Sequence, residues 1–264
     1  MKFGTKAIHA GVQPDPSTGA IMTPIYQTST YVQKAPGDHQ GYEYGRTKNP
    51  TRSALEANLA ALENGKYGVC FASGMAAIDS LAKLLKPGDH VVSTNDLYGG
   101  TYRLFTKVFQ KYGIDFDFVD MQDPASVAQV VSSKTRMVWV ETPTNPMVNI
   151  IDIAAVAKIA KKVGAWTVVD NTFATPYLQQ PMKFGAHLVT HSATKFMDGQ
   201  GRVVGGLVAG GEETVEPVKR FLKNTGPSLS PFNAWILSKS LETLAVRMDR
   251  HCTNAQGLAE WLQN

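Results

Sequence analysis

A lysine, an acid and two hydroxyl side chains follow two short apolar runs, where they could act together. Lys195 closes the stretch HSATK at 191–195, and Asp170 follows the apolar run at 165–169. If both runs are strands of one parallel sheet, their carboxyl ends open onto the same edge, where α/β folds bind ligands. A Schiff-base lysine, an acid for a pyridinium nitrogen and hydroxyls for a phosphate suit pyridoxal phosphate (PLP). The alternative is a surface lysine after a strand and an acid that caps a loop.

Repeated strand-then-helix patterns predict the sheet that would position these residues. The predicted strands are 67–72, 90–93, 116–119, 137–140, 165–169, 186–189 and 203–209. The predicted helices are 51–64, 75–85, 100–112, 124–131, 152–163 and 212–222. This alternation predicts an α/β fold in which a mostly parallel sheet is sandwiched by helices.

Polar loops follow the predicted strands and should meet at one edge of the sheet. They are residues 73–75, 96–100, 141–146, 170–172 and 192–195. The turn at Ser73-Gly74 opens a helix, where free amides and the positive end of the helix dipole can bind an anion. Many such turns use glycine for geometry alone, so the convergence of several polar loops carries more weight than this turn.

The first 50 residues show little periodicity, and we expect them to form an extended arm that packs on another subunit. Within it, Tyr44 and Arg46 offer a phenol and a planar guanidinium suited to a phosphate. The alternative is a turn with an exposed arginine. At the other end, residues 232–264 predict one long amphipathic helix, which leaves 51–231 as the large domain.

The composition is that of a globular enzyme and excludes several classes of function. Hydrophobic residues make up 43% and charged residues 18% of 264, with a net charge of +4. The sequence contains no basic run with interleaved aromatic residues of the kind that binds nucleic acid. It also contains no apolar run long enough to span a membrane. The two cysteines, Cys70 and Cys252, lack metal-ligand spacing and favour reduced thiols in the cytoplasm. We therefore expect no metal, no nucleic acid and no membrane partner.

The motifs together resemble the PLP-dependent enzymes of cysteine and methionine metabolism. This family includes cystathionine γ-synthases, cystathionine γ-lyases, methionine γ-lyases and homoserine-ester sulfhydrylases. The matching segments are 44–47, 49–51, 73–75, 96–101, 141–146, 170–173 and 192–195. The resemblance implies the large domain of fold type I, similar to aspartate aminotransferase, and a small amino acid as substrate.

The resemblance also implies catalytic roles for individual residues. Lys195 would bind the cofactor aldehyde, and Asp170 would keep the ring nitrogen protonated. Tyr98 would stack on the ring, and Asn145 would lie near the ring hydroxyl. Once released, the neutral amine of Lys195 could move protons between Cα and Cβ, as elimination at the γ-carbon requires.

The phosphate-binding residues that the resemblance implies come from two subunits. Those of the same chain would be Gly74, Met75, Ser192 and Thr194. Tyr44 and Arg46 would reach the phosphate of the neighbouring subunit, so the resemblance implies a homodimer with shared active sites that assembles into a tetramer.

The motifs do not separate the activities within the family. Gly100 stands where methionine γ-lyases usually carry cysteine, and the first two-thirds of the chain is most similar to cystathionine γ-synthases and γ-lyases. Residues 198–206 and 226–235 are more similar to O-succinylhomoserine sulfhydrylases. The expected reaction is γ-replacement or γ-elimination on cystathionine or an O-acyl-homoserine, with a sulfhydrylase as the alternative.

Family members continue into a smaller C-terminal domain that supplies an arginine for the substrate carboxylate. From the sequence we expect this domain and arginine to be absent, which leaves a catalytically impaired, cofactor-binding remnant as a further alternative. A dinucleotide-binding dehydrogenase also fits the α/β pattern, but the chain lacks G-x-G-x-x-G after the first strand, and that function leaves Lys195 without a role.

Overall fold

A seven-stranded sheet forms the centre of the molecule, and the computed structural model describes residues 1–263. In chain order the strands are β1 (Tyr67–Phe71), β2 (His90–Thr94), β3 (Asp115–Val119), β4 (Thr135–Glu141), β5 (Trp166–Asp170), β6 (Leu188–Ser192) and β7 (Gly206–Gly210). Their spatial order is β1-β7-β6-β5-β4-β2-β3. Strand β7 runs antiparallel to β1 and β6, and the other pairs are parallel. The predicted α/β fold with a mostly parallel sheet is confirmed.

Helices connect the strands and cover both faces of the sheet. They are α1 (Phe3–His9), α2 (Pro50–Glu63), α3 (Gly74–Ala82), α4 (Gly99–Lys107), α5 (Pro124–Val130), α6 (Ile153–Lys162), α7 (Thr175–Leu178), α8 (Glu212–Thr225), α9 (Pro231–Leu241) and α10 (Leu244–Gln263). The predicted helix 100–112 is wrong in its second half, which forms a separate 3-10 turn at Phe109–Tyr112. That turn buries Phe109 and ends at Gly113, whose φ of 76° is left-handed.

Side chains of each central strand alternate between two hydrophobic cores. In β4, Met137 and Trp139 pack with residues of α3, α4 and α8, whereas Val138 and Val140 pack with residues of α6. The buried Trp139 ring meets the ring of Phe105 edge-on, with centroids 5.5 Å apart. Because both faces are covered, these strands appear in the sequence as continuous apolar runs. Because helices cover both faces of the sheet, reactive polar groups can gather only in the loops at the strand ends.

The first residues of the chain pack on their own subunit. Helix α1 lies against α2, where Asn58 Nδ2 donates hydrogen bonds to the carbonyl oxygens of Lys6 and Ala10, at 3.1 and 2.9 Å. The expectation of an arm without a helix is therefore wrong at α1, which is too short to show a helical period. The second half of the arm is irregular apart from isolated bridges, and Val32 is 95% exposed there.

The predicted single helix at 232–264 is two helices, α9 and α10, in the described residues. The Thr243 amide donates to Ser240 O at 3.2 Å, an i to i+3 bond that tightens the chain into a turn. The Arg247 guanidinium donates to the same carbonyl at 3.0 Å and stabilises the break. Through residue 263, the structure contains no helix that is long and apolar enough to cross a membrane.

Backbone strain at Val148 provides a test of the loop geometry. Its φ of 59° is left-handed, which is unfavourable for a β-branched residue. Its side chain is 51% exposed, so truncation removes little packing. We expect Val148→Gly to raise the free energy of unfolding by about 0.5–1 kcal/mol in chemical denaturation.

The matched control is Ile150→Gly, in the same loop at a residue that is 66% exposed and lacks a positive φ. There glycine relieves no strain and adds backbone entropy to the unfolded chain, so the control should lower stability. Equal stabilisation by both substitutions would show that the strain at Val148 is not the cause.

Candidate active site

The loops after five parallel strands, β1, β2, β4, β5 and β6, line one cavity of about 670 Å³. The structure brings together at this cavity most of the residues that the sequence singled out. They are Gly74, Met75, Tyr98, Asn145, Asp170, Ser192, Thr194 and Lys195. The parallel register explains the convergence, because it places the carboxyl ends of β4, β5 and β6 side by side.

The start of α3 and the end of β6 form an anion-binding cradle. Ser73 caps α3 with its hydroxyl, and Gly74 and Met75 form the first turn, whose amides have no acceptor within the helix. A Cβ on Gly74 would lie 2.8 Å from Ser192 Cβ, so glycine permits this close approach. Thr194 adds a second hydroxyl at the cavity. These amides and hydroxyls suit a phosphate group.

Two buried carboxyl groups face the cavity from neighbouring strands. Glu141 at the end of β4 lies in register with Asp170 at the end of β5, and the two residues are 6% and 7% exposed. Burial, reinforced by the charge of Asp170, raises the pKa of Glu141 to about 8. Burial also raises the pKa of Asp170, although hydrogen bonds from Thr172 act in the opposite direction.

The acid pair lacks a cationic side-chain partner among the residues that the structure describes. Within residues 1–263, neither Glu141 nor Asp170 forms an ion pair with lysine, arginine or histidine. A buried negative charge without a partner is unfavourable, so this part of the cavity favours a bound cation. A protonated aromatic ring nitrogen is such a cation.

Glu141 also fixes two loops of the site. One oxygen, Oε2, accepts a hydrogen bond from the Tyr98 amide at 2.9 Å, and Oε1 accepts one from the Asn145 amide at 3.0 Å. The Tyr98 ring lies against Gly100, where a Cβ would come within 2.3 Å of Tyr98 Cε1. The sequence analysis placed Glu141 only within the polar loop 141–146 and gave it no role of its own, although its position at the end of an apolar strand, like that of Asp170, was a usable signal.

Lys195 is exposed at the cavity on a loop that α10 holds. Its amine makes no hydrogen bond or ion pair to another residue in the described part of the chain. The Gly199 amide donates to Lys195 O at 2.8 Å and turns the chain. Arg247 of α10 donates to the carbonyl oxygens of Phe196 and Met197, at 2.6 and 3.2 Å. A free amine on a fixed loop is suited to covalent bonding with an aldehyde.

Tyr44 and Arg46 lie outside this cavity. The Arg46 guanidinium donates to the carbonyl oxygen of Lys223 and sits 5.2 Å from the centre of the Tyr44 ring. Tyr44 is 40% exposed. Neither residue contributes to the cavity of its own chain, and their role toward a neighbouring subunit stays a prediction.

Aromatic side chains that the sequence analysis did not identify form one wall of the cavity. The rings of Phe173 and Phe196 meet edge-on at 6.2 Å, and His251 lies 5.1 Å from Phe196. Phe173 directly follows the polar loop after β5, which was a usable signal. His251 comes from α10, far along the chain, and no local pattern connects it with the site.

The fold and the site define a PLP-dependent enzyme of fold type I. The cavity combines an anion cradle, a buried acid pair and a free lysine, which are features suited to PLP. The sequence profile described as "Cys/Met metabolism PLP-dependent enzyme" matches residues 4–264. The chain belongs to this family, and PLP is its cofactor.

Curated relatives are about half identical to this chain over the region in which they align. The cystathionine β-lyase of Coxiella burnetii is 51% identical over 98% of this chain and 68% of the relative. The probable cystathionine γ-synthase of Herpetosiphon aurantiacus is 48% identical over 98% of this chain and 82% of the relative. The cystathionine γ-lyase of Bacillus subtilis is 48% identical over 100% of this chain and 70% of the relative.

Solved structures agree with the fold over the whole chain. The structure of metB from Corynebacterium glutamicum superposes with a TM-score of 0.98 at 51% identity, covering 100% of this chain and 69% of the other. Cystathionine γ-lyase from Lactobacillus plantarum, complexed with L-serine, gives 0.97 at 43% identity, with the same coverage.

Covalent attachment at Lys195 can be tested by spectroscopy. Protein incubated with PLP and desalted should retain a visible absorption band that borohydride bleaches, and Lys195→Ala should lack that band because the amine is gone. The matched control is Lys219→Ala, which removes a surface lysine that lies 4.1 Å from the centre of the Tyr67 ring. A band retained by Lys195→Ala, or lost from Lys219→Ala, would contradict the assignment.

Glu141 predicts a pH dependence of stability in the protein without PLP. A carboxyl whose pKa rises from 4.5 to about 8 on folding binds its proton more tightly in the folded state. The folded state therefore loses stability as the pH rises between these values. As the pH rises from about 5 to about 9, the free energy of unfolding of Glu141→Gln, measured in urea, should increase relative to that of wild type by about 1–3 kcal/mol.

Glu212 provides a control of opposite sign. This exposed carboxylate pairs with Lys66, which lowers the pKa of Glu212. Its stabilising effect grows as the pH rises through the acidic range to the ordinary carboxyl pKa of 4.5 and is complete above it. The free energy of unfolding of Glu212→Gln should therefore fall slightly relative to wild type over that acidic range, and the two should run parallel from about pH 5 to about pH 9. Parallel pH profiles for wild type and Glu141→Gln would refute the raised pKa.

Proposed function

We propose that this enzyme catalyses γ-elimination or γ-replacement on cystathionine or an O-acyl-homoserine, which is transsulfuration chemistry. The observation that carries the proposal is the single cavity that combines Lys195, the buried acid pair and the α3 cradle. The chain that builds this cavity is 48–51% identical to proteins named cystathionine β-lyase, γ-synthase and γ-lyase.

The cavity residues divide into groups that would hold the parts of PLP. The phosphate would bind to the amides and hydroxyls of Gly74, Met75, Ser192 and Thr194. Asp170 would pair with the protonated ring nitrogen, which offsets the cost of burying its carboxylate. Tyr98 would stack on the ring, and Asn145 would lie at the ring hydroxyl.

Lys195 would move the protons of the reaction. When bound, PLP supplies an electron sink for charge that develops at Cα of the substrate. Elimination at the γ-carbon needs a proton removed from Cα and another from Cβ. The Lys195 amine has no other partner in the described residues and is free to serve both carbons. The Tyr98 phenol offers a second proton-transferring group beside it.

Two observations bear on the choice of reaction. The ring position of Tyr98 leaves no room for a Cβ at Gly100, which disfavours the cysteine of methionine γ-lyases there. Gly199 and Val204 line the cavity, so the segment at 198–206, similar to that of sulfhydrylases, borders the site. O-succinylhomoserine sulfhydrylation is therefore the second candidate function.

We also propose a homo-oligomer, a dimer or tetramer, in the cytoplasm. Arg46 and Tyr44 lie at the surface, outside their own cavity, and Val32 in the same arm is 95% exposed. These features support an arm that serves a neighbouring subunit. The free thiols of Cys70 and Cys252 fit a reducing compartment.

Product analysis tests the proposed reaction. Enzyme loaded with PLP should convert cystathionine into cysteine, 2-oxobutanoate and ammonia, or O-succinylhomoserine and cysteine into cystathionine and succinate. Lys195→Ala is the control and should form none of these products. Formation of homocysteine and pyruvate from cystathionine would show that the enzyme catalyses β-elimination and not a reaction at the γ-carbon. Use of sulfide in place of cysteine would favour the sulfhydrylase. No turnover of any of these substrates would overturn the proposal.

A further inference from the structure

A fully buried glutamate–histidine pair lies behind the active site and has no role in the chemistry described above. Glu63, the last residue of α2, approaches His191 of β6, with Oε1 and Nε2 2.5 Å apart. Both side chains are 0% exposed. The pair lies within the protein and not on the cavity wall, so it cannot touch substrate or cofactor.

The pair is connected directly to both halves of the cofactor site. Glu63 Oε1 also accepts a hydrogen bond from Asn171 Nδ2 at 3.0 Å. Asn171 directly follows Asp170, and His191 directly precedes Ser192. One carboxylate therefore holds the neighbours of the acid for the ring nitrogen and of the serine for the phosphate. The Asn171 amide, which donates to Thr190 O at 3.0 Å, ties the two strand ends together.

Stability alone does not account for this arrangement. Glu63 lies at the carboxyl end of α2, where the helix dipole disfavours a negative charge. Among the described residues, Glu63 Oε2 and His191 Nδ1 are buried without a hydrogen-bond partner. A buried pair of this kind is often no more stable than apolar side chains of the same size. We therefore attribute the presence of the Glu63–His191 pair in the protein interior to its effect on neighbouring groups.

Asp170 is the group that this effect reaches. Burial raises the pKa of Asp170, and the hydrogen bonds from Thr172 together with the charge of His191 act in the opposite direction. His191 directly follows Thr190, the partner of Asp170 in the sheet, so its side chain lies on the opposite face from the carboxyl group that faces the cavity. Glu63 holds the imidazole in that position.

We propose that Glu63 and His191 are positioning residues that keep Asp170 ionised and fixed against the ring nitrogen of PLP. The inference rests on the proposed role of Asp170. Without the pair, the carboxyl group would be free to take a proton, and the ring nitrogen would lose its partner. The electron sink at Cα would then weaken, although the phosphate cradle would remain.

The test measures the protonation of the ring nitrogen by NMR, using isotope-labelled PLP bound to the protein. Glu63→Gln keeps the shape and removes the charge. We expect the nitrogen signal to move toward that of the unprotonated ring, and kcat to fall about tenfold with little change in KM. Should Glu63→Gln not fold, His191→Gln, which retains an amide donor, is measured in its place with the same expectation.

The matched control is Glu56→Gln, which alters another carboxyl of α2. Glu56 accepts a hydrogen bond from the Cys70 amide at 3.1 Å and pairs with Arg52, away from the cavity. Its substitution should leave the nitrogen signal unchanged. An unchanged signal in both Glu63→Gln and His191→Gln would show that the pair is only structural.

Asp170→Asn separates failure of this inference from failure of the proposed function. It removes the carboxylate itself and should move the nitrogen signal fully to the unprotonated position. If Asp170→Asn leaves the signal unchanged, the role assigned to Asp170 is wrong, and the inference about Glu63 and His191 falls with it. If only Asp170→Asn moves the signal, the role of Asp170 stands and the inference fails alone.

Discussion

The burial of two carboxyl groups at the open edge of the sheet is the constraint on which the site depends. Glu141 and Asp170 lie opposite each other at the ends of adjacent strands, with little access to water. Such charges are unfavourable without donors or a cation. The amides of Tyr98 and Asn145 supply donors to Glu141, and Thr172 supplies them to Asp170. A cationic ring nitrogen would add a positive charge there, so the cost of burying the acids favours a cofactor that carries one.

The supporting contacts lie mostly outside the cavity. Arg247 holds the loop after Lys195 through the carbonyl oxygens of Phe196 and Met197, and Glu63 holds the segments beside Asp170 and Ser192. Each is a charged group that joins elements distant in the chain. Hydrogen bonds from charged groups are stronger and more directional than neutral ones. They fix the loops at the strand ends, while the hydrophobic cores hold the strands themselves.

Apolar packing and polar contacts contribute differently to this fold. The apolar clusters on the faces of the sheet, with Trp139 at the centre of one, determine where the strands lie. The polar groups at the strand ends add little to stability and leave some atoms, such as Glu63 Oε2, unpaired. An arrangement of this kind exchanges stability for electrostatic positioning at the site, as is common where ionisable groups are buried for function.

The sequence by itself determined the alternation of strands and helices and the residues at the strand ends, because hydrophobic periodicity and turn chemistry are local. It therefore predicted most of the residues that meet at the cavity. Only the tertiary structure decided that Glu141 faces Asp170, that Arg247 and His251 reach the Lys195 loop, and that Tyr44 and Arg46 stay outside. It also decided the break between α9 and α10, where Arg247 bonds to Ser240. These features depend on contacts between distant residues, and a local pattern does not encode such pairings.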